Sequence, residues 1–277
     1  MAQKSDSMPS FNKFRVASDK FKLSSIDPAD TLFAQGSEAA QRERLDQLAI
    51  ELDSLQNTLH AEGRRKLLLV LQGLDTSGKD GTIRWVFSRT SPLGVRVHAF
   101  KAPTEEERAR DFLWRCHAVV PRAGEITVWN RSHYEDVLVP VVEGALDKAQ
   151  TRQRFLQINQ FEQLLCDTGT VVVKCMLHIS KDEQRGRLQA RIDDPEKHWK
   201  FSMDDLAVRK KWDAYQEAYQ RALRATSTAA APWHVVPADS KRHRNLMIAS
   251  LLVKTLRDMK LRAADEADPA LKGLVVE

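Results

Sequence analysis

An α/β fold with a parallel sheet covered on both faces is predicted by three observations. Short apolar runs alternate with helical stretches along the chain, the first run leads directly into G-x-x-x-x-G-K, and no linker, repeat or low-complexity stretch divides the 277 residues. That length permits one large α/β domain or two small ones. The missing linker favours one. With 42% apolar and 29% charged residues, and few Gly or Pro, the composition excludes a disordered chain.

Taken in order, residues 1–36, with "FKLSSIDPADT", mix Pro, Ser and charge and are expected to form an arm without regular structure. From Ser37 the pattern becomes helical. Leu45, Leu48, Leu52, Leu55 and Leu59 recur in steps of three and four, marking an amphipathic helix that ends near Gly63 and is too short for a coiled coil. "KLLLVL" follows as a continuous apolar run, the mark of a strand buried on both faces. Four more runs of this kind are "VRVHAF" at 95–100, "EITVWN" at 125–130, "TVVVKCMLHI" at 170–179 and "PWHVVPA" at 232–238. Helices are expected over about 79–90, 105–117, 148–166, 181–192, 203–226 and 241–262. Two of them start with capping boxes, Thr104 with Glu107 and Ser180 with Glu183. Strand and helix alternating at this spacing imply the parallel sheet.

A formal net charge of +5 is a small excess for this length and reads as an ordinary surface, although it permits a polyanionic partner. Three cysteines, Cys116, Cys166 and Cys175, without C-x-x-C spacing indicate buried reduced thiols rather than disulfides or zinc. "MAQKSDSMPSFNKFRV" has no apolar middle region, and no apolar run reaches the ~18 residues of a membrane span. A cytoplasmic location without membrane partners is expected.

Gly73, Gly78 and Lys79 satisfy G-x-x-x-x-G-K in the required context, after a strand and before a helix. Glycines let backbone N–H groups turn toward phosphate oxygens, the helix N-terminus adds positive potential, and Lys79 supplies an ammonium; Ser77, Gly81 and Thr82 complete the cradle. The usual Ser or Thr after the lysine is replaced by Asp80, so metal binding must be arranged otherwise. A carboxylate near phosphates is tolerable when Mg²⁺ lies between them. Asp75 is the better candidate, and Asp80 on the first helical turn complements the helix dipole.

"LQGLDTSGKDGTIRWVF", "FKAPTEEERARDFLWR", "GEITVWNRSHYEDVLV", "HISKDEQRGRLQARIDDPEKHWKFS" and "WDAYQEAYQRALRATSTAAAPWHVVPAD" together resemble the polyphosphate kinase 2 family, over residues 12 to about 262. The resemblance implies a three-layer P-loop kinase fold akin to thymidylate kinase, with a parallel sheet of about five strands and a helical lid over about 181–211. It divides the chain into the arm, a phosphotransferase domain at 37–263 and a tail at 264–277. It further implies inorganic polyphosphate as phosphoryl donor, a nucleotide as acceptor, Mg²⁺ or alternatively Mn²⁺ as cofactor, and a homo-oligomer, dimeric or tetrameric. Asp75 corresponds to the family's catalytic aspartate near metal and acceptor.

Many family members read Asp-Arg-Ser-Trp-Tyr-Asn in the second motif, whereas this chain reads Asn130, Arg131, Ser132, His133, Tyr134, Glu135, Asp136. It resembles the subgroup that phosphorylates AMP and ADP, with ATP formed from ADP and guanine nucleotides as further candidates. Asn130 removes one charge from the usual metal position, and Glu135 or Asp136 is expected to restore it. The alternatives are an ion pair for Glu135 and a helix cap for Asp136. Arg131 has the planar fork for bidentate phosphate contact. His133 is read as structural, because an ionised phosphate acceptor needs little proton removal. The resemblance implies that Lys101 in "FKAPT" is a phosphate or acceptor ligand, the alternative being a solvated lysine, and that Arg187 and Arg191, one helical face, bind donor phosphates from the lid. In the series Trp199, Trp212, Tyr215 and Tyr219, three fit the buried stripe of a helix, and core packing is expected rather than base stacking.

These assignments predict transfer of a terminal phosphoryl group by positioning and charge neutralisation, with Asp75, Lys79 and Arg131 at the centre. An ATP-dependent nucleotide kinase on the same fold is the first alternative. A nucleic-acid-binding switch is the second, and no binding module or basic stripe supports it.

Overall fold

The computed structural model describes residues 9–262 and Val275; the tail expected at 264–277 lies otherwise outside the described residues, as do the first eight residues of the arm. A five-stranded sheet forms the centre, in the order β2 (Val95–Ala99), β3 (Ile126–Asn130), β1 (Lys66–Gln72), β4 (Thr170–His178), β5 (Trp233–Pro237). Every neighbouring pair is parallel. Leu67 through Leu71 on the central strand are all buried, as an apolar run covered on both faces requires.

One covering layer holds α1 (Glu38–Glu62), α2 (Lys79–Val86) and α10 (Lys241–Asp258), and the other holds α5 (Glu135–Val142), α6 (Lys148–Asp167) and α9 (Trp212–Thr226). Helix α1 starts where Ser37 accepts from the Ala40 N–H and stops at Gly63, whose φ of 61° lets its N–H turn back to the Leu59 carbonyl.

The structure departs from the sequence reading in four places. The stretch 105–117 is split into α3 (Glu105–Arg108) and α4 (Trp114–His117). Asp111 Oδ1 accepts from Leu113 N at 2.9 Å, and that local turn competes with the helix. The stretch 203–226 is divided at Lys211 into α8 (Met203–Lys210) and α9.

Helix α5 was not expected, because Pro140 sits inside a valine-rich run. Proline leaves the carbonyl four residues earlier without its helical donor, and here Arg154 Nη1 bonds that Asp136 carbonyl at 2.6 Å. Finally, Thr104 and Glu107 form the full capping box, whereas at α7 (Lys181–Ile192) only the Ser180 half exists. Glu183 turns to Arg187, and the Ser180 N–H goes to Asp239 Oδ1 instead.

The arm is part of the core. Two 3₁₀ turns, Asn12–Phe14 and Leu23–Ser25, carry Phe11, Phe14, Val16 and Leu23 inward, and Ile26 and Phe33 are buried beside them. Val16 N donates to the Trp233 carbonyl at 2.9 Å, so the arm covers the outer edge of β5. Cys116 and Cys175 are buried thiols and Cys166 is half-buried. No described helix is long and apolar enough to cross a membrane.

Candidate active site

In an open parallel sheet, ligands gather beyond the carboxyl ends of the strands. Here all five strands are parallel and the order β2-β3-β1-β4-β5 reverses direction at β1, so the loops after β1, β3, β4 and β5 meet at one end. The loop after β1, residues 73–78, is shaped by its glycines. Gly73 has φ 150°, and a Cβ there would stand 2.7 Å from Ser77 Oγ and 2.8 Å from the Leu177 carbonyl. The side chains of Ser77 and Thr82 are fully buried, and their hydroxyl oxygens have no hydrogen-bond partner among the described residues. Buried hydroxyls normally find partners, so these two leave hydrogen-bonding capacity at the loop that no described residue takes up. Lys79 is buried and bonds the Gly73 carbonyl at 2.7 Å.

Across the loop, Arg131 Nη2 reaches Asp75 Oδ1 at 2.6 Å. Burial pushes the Asp75 carboxyl up, but Lys79 and Arg131 outweigh it, and the group lies below the usual carboxylate range. Glu135 goes the other way: burial raises it in spite of Arg131 and Lys79. Asn130 Nδ2 donates to Asp80 Oδ1 at 2.7 Å, so the asparagine of the second motif is joined to the loop's second carboxylate.

Asp75, Asp80, Asn130, Arg131, Arg187 and Arg191 line one cleft of about 490 Å³. A second cleft of about 300 Å³ shares Gly78, Asp80 and Arg187 with it and adds Arg84, Trp85, Arg244 and Asn245. Asp75, Lys79, Gly78, Gly81, Asn130, Arg131 and Arg191 are thus brought together as expected from the sequence.

Four expectations need correction. Asp136, expected near metal, pairs with Arg115 Nη2 at 3.0 Å, and Arg115 in turn bonds the Lys101 carbonyl. Lys101 itself is exposed and does not line the cleft, although its neighbours Ala99 and Phe100 do. Arg187 faces the cleft but is committed to the protein. It bonds the Thr76 carbonyl at 2.9 Å and the Ala238 and Asp239 carbonyls at 2.7 Å, and Nε takes Glu183. It therefore braces the phosphate loop against the end of β5. Trp199 is 79% exposed at the cleft mouth, whereas Trp212, Tyr215 and Tyr219 are buried in α9.

Sequence reading missed Arg244. Its guanidinium is buried beneath the loop, donates to the Ser77 carbonyl at 3.2 Å and to Asn245 Oδ1, and is pushed down to about 9 by burial and by Arg187. The available signal was the run Lys241, Arg242, Arg244 in the first turn of α10, where the helix dipole disfavours cations.

Three carboxylates, Asp75, Glu135 and Asp80, act on Lys79, of which Asp80 is engaged by Asn130, and among the described residues no group of three His, Cys, Asp or Glu side chains is placed to hold a metal ion by itself. Mg²⁺ typically takes one or two carboxylates and completes its shell with phosphate oxygens and water. The set fits such an ion and does not fit an all-protein metal cage.

Residues 35–264 match the family described as Polyphosphate kinase 2. The chain belongs to the polyphosphate kinase 2 family. Among the family's members, it is 49% identical to the AMP/ADP-polyphosphate phosphotransferase of Meiothermus ruber, across 96% of this chain and 99% of that one. It is 41% identical to the ADP-polyphosphate phosphotransferase of Rhodopseudomonas palustris, across 79% and 80% of the two chains. The crystal structure of polyphosphate kinase 2 from Arthrobacter aurescens TC1 superposes with a TM-score of 0.91 at 44% identity, covering 96% of this chain and 95% of that one. The sheet with helices on both faces is thus the fold of the polyphosphate kinase 2 family, and the cleft lies at its phosphate loop.

Proposed function

We propose that this chain transfers the terminal phosphoryl group of inorganic polyphosphate to AMP and ADP, forming ADP and ATP. The observation that carries the reading is Asp75 held by Arg131 at the mouth of the phosphate loop, within a cleft otherwise rich in cations. A polymer with regularly spaced charge needs no shape-specific pocket, only a continuous cationic track. Two adjoining clefts, with Arg191, Lys197 and Lys200 on one and Arg84, Lys241 and Arg244 on the other, supply it. Near-complete overlap with a relative named for AMP and ADP supports the choice of acceptors.

In the reaction, an oxygen of the nucleotide's phosphate bonds to the terminal phosphorus as the bond to the neighbouring bridging oxygen breaks. The donor leaves one unit shorter. The acceptor oxygen is already ionised near neutral pH, so no general base is required, and His133, fully buried, supplies none. Lys79 and Arg131 neutralise charge on the transferring group, with Arg191 on the donor side. The loop N–H groups and the Ser77 and Thr82 hydroxyls orient its oxygens. Asp75 and Glu135 would hold Mg²⁺, which would supply charge neutralisation for phosphate oxygens. The segment 181–211 acts as the lid that excludes water.

The test is purified protein with Mg²⁺, long-chain polyphosphate and either AMP or ADP, without added ATP. Formation of ADP and ATP is expected. No product there, together with turnover of AMP by ATP, would establish an ATP-dependent nucleotide kinase instead.

A further inference from the structure

Arg131 adopts φ 62°, a left-handed conformation that a residue with a side chain holds only when its surroundings impose it. Its own N–H bonds the Leu71 carbonyl at 3.0 Å, and Gln72 Nε2 holds Ser132 Oγ at 3.1 Å. The next two side chains, His133 and Tyr134, point away from the cleft into the core and are both essentially inaccessible. Both end on Glu162 of α6. Tyr134 OH donates to Glu162 Oε1 at 2.8 Å, and His133 Nε2 lies 3.3 Å from the same oxygen.

Glu162 is in turn held by Lys174 of β4. The Lys174 ammonium spends all three donors here, on Glu162 Oε2 at 2.6 Å, Tyr134 OH at 3.0 Å and the Thr226 carbonyl of α9 at 2.7 Å. Neither member of the pair is more than 1% exposed. Nothing in the phosphotransfer chemistry uses these groups. A buried ion pair is weak evidence for stability, since an apolar replacement of the same volume is often neutral, but it can fix one arrangement against others. This one joins β4, α6 and α9 to the loop that carries Arg131.

We propose that Glu162 and Lys174 are positioning residues for catalysis, and that through His133 and Tyr134 they fix the backbone turn that aims Arg131 at Asp75 and the transferring phosphate. The inference rests on the phosphotransfer reading above. It also separates the two halves of the second motif. Arg131 lines the cleft and Glu135 lies within reach of the charges of Arg131 and Lys79, while His133 and Tyr134 are the pegs that seat them.

The test is the double replacement Glu162→Gln with Lys174→Met, which avoids leaving a lone buried charge. Tyr134→Phe is a milder second variant that keeps the ring. Each is assayed with polyphosphate and ADP beside the wild type, alone and combined with Arg131→Ala, and each is crystallised. Misplacing a catalytic group by about 1 Å can cost ~100-fold. The double variant should therefore lose about 10- to 100-fold in kcat and Tyr134→Phe several-fold, with KM for ADP changed less than about 2-fold. In the Arg131→Ala background the same changes should cost much less than the product of the separate losses, because the group they position is gone.

The crystal structures should show Arg131 out of the left-handed region or detached from Asp75. Undiminished kcat in a folded variant overturns the proposal, as do fully multiplicative losses, or a variant structure that retains the Arg131 turn and its contact with Asp75. If the double variant does not fold, Tyr134→Phe decides by the same criteria. A wild type inactive with polyphosphate would sink the functional reading alone, and the crystallographic arm would still judge the anchor.

Discussion

Nη1 of Arg244 stands 1.8 Å from where a Cβ on Gly78 would lie, so the loop's second glycine is required by the guanidinium beneath it as well as by its φ of 102°. Gly78→Ala should displace Arg244, reshape the loop and reduce polyphosphate-dependent activity by about 100-fold or more, while backbone strain lowers stability by ~1–3 kcal/mol. Kinetics and chemical denaturation check both effects. A variant of normal activity would show that Arg244 has room to move.

Asp75→Asn keeps the shape of the side chain but removes the charge facing Lys79 and Arg131. Activity should fall by at least ~100-fold with the fold retained, as measured by kcat and by circular dichroism. Asp80→Asn changes a carboxylate that bonds Asn130 at the cleft's other wall, and a much smaller loss is expected. Equal losses would show that the two aspartates share one task.

Acid should destabilise the β5 end of the sheet. Burial pushes His178 and His234 down to about 4 from 6.5, with Asp239 opposing at the first and Arg15 assisting at the second. Both are deprotonated in the folded state and take up protons on unfolding between those values. The unfolded chain then binds more protons, so stability falls as pH drops from about 6.5 toward 4 and changes little from these groups below that. The loss should be on the order of 2–3 kcal/mol per histidine, read from melting temperature against pH. Replacing either by Asn or Gln should flatten the profile.

Phe14→Ala tests the arm. The ring is fully buried and packs against Phe33 and His243, so its removal should cost ~3–5 kcal/mol in urea or guanidinium unfolding. A loss below about 1 kcal/mol would mean that the arm is dispensable to the core.

Trp199→Ala should behave oppositely, with stability within about 0.5 kcal/mol of the wild type and KM for polyphosphate raised several-fold. A large fall in melting temperature would restore Trp199 to the packing role that the sequence assigns to it.

What was legible in the sequence follows from how far each signal reaches along the chain. Strand runs and the glycine loop are local patterns, so all five strands and the placement of Asp75, Lys79 and Arg131 could be read directly. The half-complete box at Ser180 could not, because Glu183's competitor, Arg187, is itself claimed by carbonyls some 50 and 110 positions away. Asp136 was misassigned for the same reason: Arg115, 21 positions earlier, takes its carboxylate. Helix α5 was hidden by Pro140, whose cost is met by Arg154 from the next helix. Arg244 and the Glu162–Lys174 pair left only faint traces, an ill-placed cation and two charges inside apolar stripes.

The brace made by Arg187 limits how the cleft opens. This residue lies midway along α7 and clamps the carbonyls of Thr76, Ala238 and Asp239, so the first half of that helix is bolted to the rim of the sheet. A pivot at Ser180 would tear those bonds and deform the phosphate cradle with every turnover. A lid movement that spares the cradle would therefore be confined to the part of 181–211 beyond Arg187, and it would also have to release Arg209 of α8 from the Lys181 carbonyl and Gln184.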